Sequence, residues 1–253
     1  GRIFSHFIYE NEKAVSAVFQ NDEMEYGDLV IGADGSNSKV REQLFGKTDF
    51  TLIQIKEIVG ISKTIMPFAE NKTIFQKFQD HTKGLSFGCI PTYNDEMVWF
   101  MQYDVNLIKD VPTGETDLKL FCETLTAHFP AEVKQVLNGN DFNTSYVWNT
   151  RDFDLLPSFH KNNVCLLGDA AHLALPFTSA GTSNALLDAK TIVECLEDYS
   201  DFEKSFEEFY LKRKNILEKH ISQGREIKQM FLQPTSYTER DFLLPLIKTS
   251  RLV

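Results

Sequence analysis

Two short segments of this chain set an aspartate beside glycine at the end of an apolar run. Gly32-Ala33-Asp34-Gly35 follows Leu29-Val30-Ile31, and Gly168-Asp169 follows Val164-Cys165-Leu166-Leu167. A short apolar run that ends in such a turn has the pattern of a buried parallel strand, and the carboxyl ends of parallel strands form the ligand crevice of open α/β sheets. A carboxylate placed there can accept a hydrogen bond from a ligand. After Asp169 the chain crosses a small-residue loop holding Pro176 and Gly181 and becomes helical from about Thr182. The start of a helix carries about half a positive charge and unpaired N–H groups, so an acceptor and a set of donors lie close together in the sequence.

Other chemistries find less support. Nothing near His172 completes a nucleophile set, so packing or a local hydrogen bond is its expected role. His6, His81, His128, His160 and His220 have no metal-ligand spacing, and no metal is assigned. Cys89, Cys122, Cys165 and Cys195 are far apart in apolar surroundings and read as buried thiols, which fits a reducing cytoplasm.

The elements that must position the two aspartates are legible in outline. "RIFSHFIYE" and "AVSAVFQ" flank the turn Asn11-Glu12, and a second polar turn from Asn21 to Glu23 leads into "GDLVIGADG", a β-meander feeding a buried strand. From about Lys47 to Tyr103 the stretches "TLIQIKEIVGISKTI", "KTIFQKFQ", "GLSFGCIPTY" and "EMVWFMQYDV" predict an antiparallel sheet. In the last of these, Met97, Trp99, Met101 and Tyr103 share one face and Val98, Phe100, Gln102 and Asp104 the other. One side can roof an apolar cavity, with most of the aromatics in plain core. Leu118, Phe121, Cys122, Leu125 and Phe129 recur at helical spacing up to Pro130, and a second short helix stops at Gly139. Helices from about Thr182 to Asp198 and from Phe202 to about Phe231 follow, then Pro234 and a short apolar tail. On the long helix, Glu203, Lys204, Glu207, Glu208, Lys212 and Arg213 read as a solvated face over apolar Phe202, Phe206, Phe209 and Ile216.

A chain of 253 residues with 42% hydrophobic content can bury one large core or two smaller ones. The net charge of −10 and the lack of a Lys/Arg cluster argue against nucleic acid as a partner. No apolar run approaches the roughly 18 to 20 residues needed to span a bilayer, and the start lacks signal-peptide order, so no membrane association is expected.

The two aspartate segments also resemble motifs of a known family. Asp34, Gly35, Ser38, Val40 and Arg41 fit the Asp-Gly-x-x-Ser-x-Val-Arg motif of the single-component flavoprotein aromatic hydroxylases, the FAD-dependent monooxygenases with the para-hydroxybenzoate hydroxylase fold. Gly168 to His172 and Pro176 fit their Gly-Asp-Ala-Ala-His and Pro motif, and Arg151 and the Tyr210-x-x-Arg213 pattern extend the likeness over nearly the whole chain. The resemblance implies an α/β fold with α+β elements. A partial FAD-binding Rossmann-like domain would comprise 1–46 and 151–200, with an antiparallel-sheet substrate domain inserted at 47–150 and a C-terminal helical region at 201–253.

It further implies an FAD site formed by Asp34, Gly35, Arg41, Gly168, Asp169, Pro176, Gly181, Thr182 and Ser183. Asp169 would accept from the flavin ribityl chain, and the helix start beyond Gly181 would stabilise negative charge on the reduced ring. Arg41 would serve near the pyrophosphate and the nicotinamide entry. NAD(P)H would be the reductant, and one atom of O2 would pass through a flavin C4a-hydroperoxide to an aromatic or other electron-rich small-molecule substrate. No catalytic side chain is assigned.

Two departures from the family pattern stand out. The family's Pro-x-x-Gly-Gln-Gly-x-Asn is here Pro176 to Ser183 with Asn184 one position late, so the usual Asn contact does not carry over. The family's opening Gly-x-Gly-x-x-Gly turn, which cradles the pyrophosphate, has no counterpart in these residues. The expectation is a chain that starts after the ADP-binding unit, binds FAD weakly by itself and self-associates through an exposed sheet edge. A catalytically silent folded fragment or binding module, and a related flavin reductase or halogenase, stay open as alternatives.

Overall fold

The strand text at the start folds as alternation demands. β1 (Phe4–Glu10) and β2 (Lys13–Phe19) pair antiparallel across Asn11 and Glu12, whose φ angles of 48° and 68° suit the sharp right-handed twist of a two-residue hairpin. Every second residue of β2 points inward, with Ala14, Ser16 and Val18 all buried. β3 (Met24–Tyr26) completes this three-stranded sheet. The computed structural model describes residues 1–64, 75–92, 95–109, 112 and 115–233. The chain divides into two compact units, one formed by Gly1–Thr51 and Arg151–Lys228, the other formed around Leu52–Thr150.

In the first unit β4 (Val30–Gly32) is short and lies parallel to a strand far away in sequence, leaving Leu29 outside the strand that the apolar run suggests. The remaining elements of this unit follow in chain order once the second unit has been placed.

That second unit is an antiparallel sheet, as expected. After helix α1 (Lys39–Phe45) come β5 (Ile55–Ser62), β6 (Gln76–Asp80), β7 (Leu85–Pro91) and β8 (Met97–Asp104). Helices α2 (Glu115–Leu125) and α3 (Ala131–Asn138) precede β9 (Tyr146–Asn149), and the sheet order is β6-β7-β8-β5-β9. Met97, Trp99, Met101 and Tyr103 are fully buried and pack with Leu118, Cys122, Val133, Val136 and Leu137, so this face is core rather than cavity roof. Full burial of such side chains stabilises by about 1.5–3 kcal/mol each relative to exposure. On the opposite face, Gln102 donates to the Glu57 carboxylate (2.6 Å) and accepts from Lys77 (3.4 Å). Burial pushes Glu57 up and Lys77 down to about 8.

Two boundaries in this unit differ from the periodic reading. The strand starts at Ile55 instead of Thr51, and α2 ends at Leu125 although the apolar spacing runs on to Phe129. There the Thr126 hydroxyl donates back to the Cys122 carbonyl (2.7 Å), a local bond that satisfies the helix end and lets the chain turn. The first residues of "KTIFQKFQ", and Pro234 with the apolar tail, lie outside the described residues.

Back in the first unit, β10 (His160–Lys161) and β11 (Val164–Leu166) form a sheet of order β10-β11-β4, with β11 parallel to β4. β4 has one strand neighbour among the described residues. Asn163 joins this sheet to the hairpin: its side chain accepts from the Ala14 N–H and donates to the carbonyls of Ala14 and Asp28, all within 2.9 Å. Then come α4 (Asp169–His172), α5 (Gly181–Asp198) and α6 (Phe202–Leu232). Their core holds Phe159, Val164, Cys165, Leu166, Phe206 and Phe209, each fully buried.

On α6 the solvated-face reading needs correction at two positions. Arg213 is buried at 4% exposure, and Ile216 is 52% exposed. The inward stripe runs Phe206, Phe209, Arg213, Leu217, His220, and Ile216 falls off it. Phe202, Phe206 and Phe209 do pack against the core. All four cysteines are buried and free. No helix among the described residues is long and apolar enough to cross a membrane.

Candidate functional site

At the end of β4, Gly32 is required by contact: a Cβ there would meet Val40 Cγ1 at 2.7 Å and Leu166 Cδ2 at 2.8 Å. The turn that follows closes on its own aspartate. The Asp34 carboxylate accepts from the Ser38 hydroxyl (2.5 Å) and from the backbone N–H groups of Lys39 (2.7 Å) and Val40 (3.1 Å). Ser38 in turn accepts from the Arg41 N–H (2.8 Å), which makes it the N-cap of α1. Gly35, with φ of +78°, allows the tight return. α1 is a helix that periodicity over so few residues does not reveal; its signal is the Asp34 and Ser38 spacing.

Arg41 points inward and is 2% exposed. Its Nε donates to the Thr48 hydroxyl (2.7 Å) and its Nη2 to the Ser36 carbonyl (2.7 Å). Its Nη1 donates to the carbonyls of Ala170 (3.0 Å) and Asp169 (3.3 Å), and the guanidinium lies 4.6 Å from the Phe153 ring centre. Burial lowers its pKa, with the Asp34 charge opposing. Arg41 is thus the clamp that brings the two aspartate segments together.

The second turn is built differently. Gly168 has φ of +57° and ψ of −140°, a conformation that side chains disfavour, and its N–H donates to the Asp188 carboxylate (3.0 Å). Asp169 is exposed, and its carboxylate makes no hydrogen bond among the described residues. Pro176 opens a single helical turn, Pro176–Thr178, closed by Ser179 at φ of +52°. α5 then starts at Gly181 after Ala180, which supplies no side-chain cap. The N–H groups of Gly181, Thr182 and Ser183 therefore find no protein acceptor among the described residues, and Pro176, Thr182 and Ser183 are exposed.

Behind both features lies a buried polar network. Asp188 is fully buried and accepts from His172 (2.5 Å), the Gly168 N–H and Arg213 Nε (2.8 Å). Burial alone would raise its pKa, but His172, Gly168 and Arg213 together hold the carboxyl below the ordinary range. His172 thus makes the local hydrogen bond expected of it. Arg213 Nη2 donates to Asn184 Oδ1 (2.9 Å), Asn184 Nδ2 meets His220 Nδ1 (3.1 Å), and His220 Nε2 meets the Thr178 hydroxyl. Asp188 escaped the sequence reading, which weighed Asn184 only as a displaced motif residue and His220 only as a metal ligand. The spacing that would have found them is polar residues standing on inward helical stripes, Asn184 and Asp188 on α5 and Arg213 and His220 on α6.

Comparison with known proteins gives this geometry a context. The family model described as FAD binding domain matches residues 7–199. The chain belongs to the FAD binding domain family. It is 30% identical over 208 residues to violacein synthase of Chromobacterium violaceum, a match covering 74% of this chain and 46% of the relative. It is 28% identical over 199 residues to 3-amino-4-hydroxybenzoate 2-monooxygenase of Streptomyces cremeus, covering 75% of this chain and 46% of that protein. The chain thus spans just under half the length of these two relatives. Among solved structures, HpxO of Klebsiella pneumoniae, complexed with FAD and uric acid, superposes with a TM-score of 0.85 at 18% identity, over 99% of this chain and 64% of its own. That likeness is one of fold, a mixed α/β architecture shared with FAD monooxygenases.

The residues present fit a flavin. Asp169 offers a free carboxylate acceptor, and the uncapped α5 start offers free N–H donors within the same unit. In contrast, the Asp34 carboxylate accepts three hydrogen bonds within its own turn, and the Arg41 guanidinium is engaged with Thr48, Ser36, Asp169 and Ala170.

Proposed function

We propose that this chain is part of an FAD- and NAD(P)H-dependent monooxygenase that hydroxylates an aromatic or other electron-rich small molecule. The observation that carries this reading is the unengaged Asp169 carboxylate at the end of β11, followed by a helix start with no cap of its own. Asp169 would hold a hydroxyl of the flavin's ribityl chain, and Gly181, Thr182 and Ser183 would donate to the anionic edge of the ring. Gly168 and Pro176 set the turns on which those donors and the acceptor stand. When bound, FAD supplies the redox chemistry, accepting a hydride from NAD(P)H and activating O2.

The protein's own residues bind, orient and exclude water. The second unit is assigned the substrate, held against the sheet face on which Glu57, Gln102 and Lys77 meet. Support for an aromatic substrate comes from the relatives, one of which is by name a hydroxybenzoate monooxygenase. The test is turnover of the natural protein with FAD, NAD(P)H and candidate aromatics under ¹⁸O2. One labelled oxygen atom in the product is expected. Product oxygen drawn only from water, or turnover indifferent to O2, contradicts the assignment and favours a reductase.

A further inference from the structure

The buried network that ends at Thr178 allows one assignment of donors and acceptors. Arg213 carries only donors, and it donates to Asn184 Oδ1 at 2.9 Å. Asn184 therefore turns its amide nitrogen toward His220 Nδ1, 3.1 Å away. That ring nitrogen has to accept, which puts the histidine proton on Nε2, where it is donated to Thr178 Oγ1. Having accepted, the Thr178 hydroxyl keeps its own hydrogen to donate. Thr178 lies three residues before Gly181, on the loop that leads into the uncapped start of α5.

We propose that His220 is a positioning residue, acting as a neutral Nε2–H tautomer that fixes Thr178. The Pro176–Gly181 loop then holds the N–H groups of Gly181, Thr182 and Ser183 as one donor array for the electron-rich edge of the flavin ring. This rests on the flavin reading of the same loop. Nothing in the proposed chemistry uses His220 directly, and it lies behind the loop at 7% exposure.

The arrangement makes the loop sensitive to acid. Protonation puts a second hydrogen on His220 Nδ1, where it faces the Asn184 amide hydrogens, and two donors confront each other. Among the described residues the charged and titratable groups that act on His220 are Arg213 on its own helix and His172 from α4, both held by Asp188 of α5. Burial first, then His172 and Arg213, hold the His220 pKa below its ordinary value. The sign follows: the tie is fully present above the ordinary imidazole pKa of about 6.5, and it is lost as pH falls from there through the lowered folded value.

The test uses the natural holoprotein and two variants, His220→Gln and Thr178→Val. Gln keeps one donor and one acceptor but does not titrate, whereas Val removes the hydroxyl and keeps the shape. Long-range ¹H–¹⁵N spectra of the apoprotein are expected to show the Nε2–H tautomer of His220. FAD dissociation constants measured between about pH 8 and pH 5 should rise about tenfold for the wild type on acidification, with helicity retained by circular dichroism. His220→Gln should bind FAD without that acid loss, and Thr178→Val should bind severalfold more weakly throughout. An Nδ1–H tautomer, a wild type whose affinity ignores pH, or a His220→Gln variant that keeps the acid loss overturns the role of His220 alone. A wild type that binds no FAD at any pH overturns the flavin reading as well, while the tautomer is read without flavin.

Discussion

Asp34 and Asp169 end neighbouring parallel strands with the same pairing of Gly and Asp, yet they are used in opposite ways. Asp34 spends its carboxylate on its own turn, accepting from Ser38, Lys39 and Val40 to start α1. The Asp169 carboxylate makes no hydrogen bond among the described residues. The bond that would close its turn comes from elsewhere, because Asp188 of α5 accepts the Gly168 N–H. The comparison teaches that a turn closed from within engages most of its aspartate's acceptor sites, whereas one tied by a distant helix leaves its aspartate without a hydrogen bond among the described residues.

The largest effect should follow from removing the remote cap. Asp188→Ala would leave Arg213 and His172 buried without their shared carboxylate, and breaking a buried pair of this kind costs about 3–5 kcal/mol. Equilibrium denaturation should register that loss, and a cost below about 1 kcal/mol would mean that the two turns do not differ as described.

Gly168→Ala should come next, at about 1–3 kcal/mol, because the new side chain is strained at this φ and its Cβ would lie 3.2 Å from Ala185 Cβ. Gly35→Ala, also at positive φ but with open space around it, should cost less in the same assay. Equal costs would remove packing against α5 from the account.

Asp34→Ala should cost about 1–2 kcal/mol of stability, the ordinary effect of losing helix-capping bonds. Its effect on FAD affinity should be secondary to any loosening of the turn, so amide exchange at Lys39 and Val40 should accelerate in step with it. Unchanged exchange there would show that the Asp34 bonds carry no weight.

The sequence exposes the two turns but not what separates them. Both strand ends, the hairpin before them and the antiparallel sheet follow from alternation and turn residues, and the α5 and α6 helices from their apolar repeat. What stays hidden is contact between distant residues. Nothing in the text around Gly168 says that its N–H is satisfied 20 positions later by Asp188. Arg213 reads as one more surface charge unless its place in the Phe206, Phe209, Leu217 stripe is weighed above its polarity. α1 is too short for periodicity and exists because of the bonds that Asp34 and Ser38 make. The end of α2 is set by a side-chain bond from Thr126, which an apolar count passes over.

The measurement that tests the central claim most directly is the FAD dissociation constant of the natural protein carrying Asp169→Ala, taken together with its stability. The account predicts binding weakened about 10- to 150-fold, the equivalent of roughly 1.5–3 kcal/mol for a charged acceptor, with the denaturation midpoint moved little because the exposed carboxylate makes no hydrogen bond among the described residues. An unchanged FAD dissociation constant would contradict it and leave Asp169 as a turn residue only.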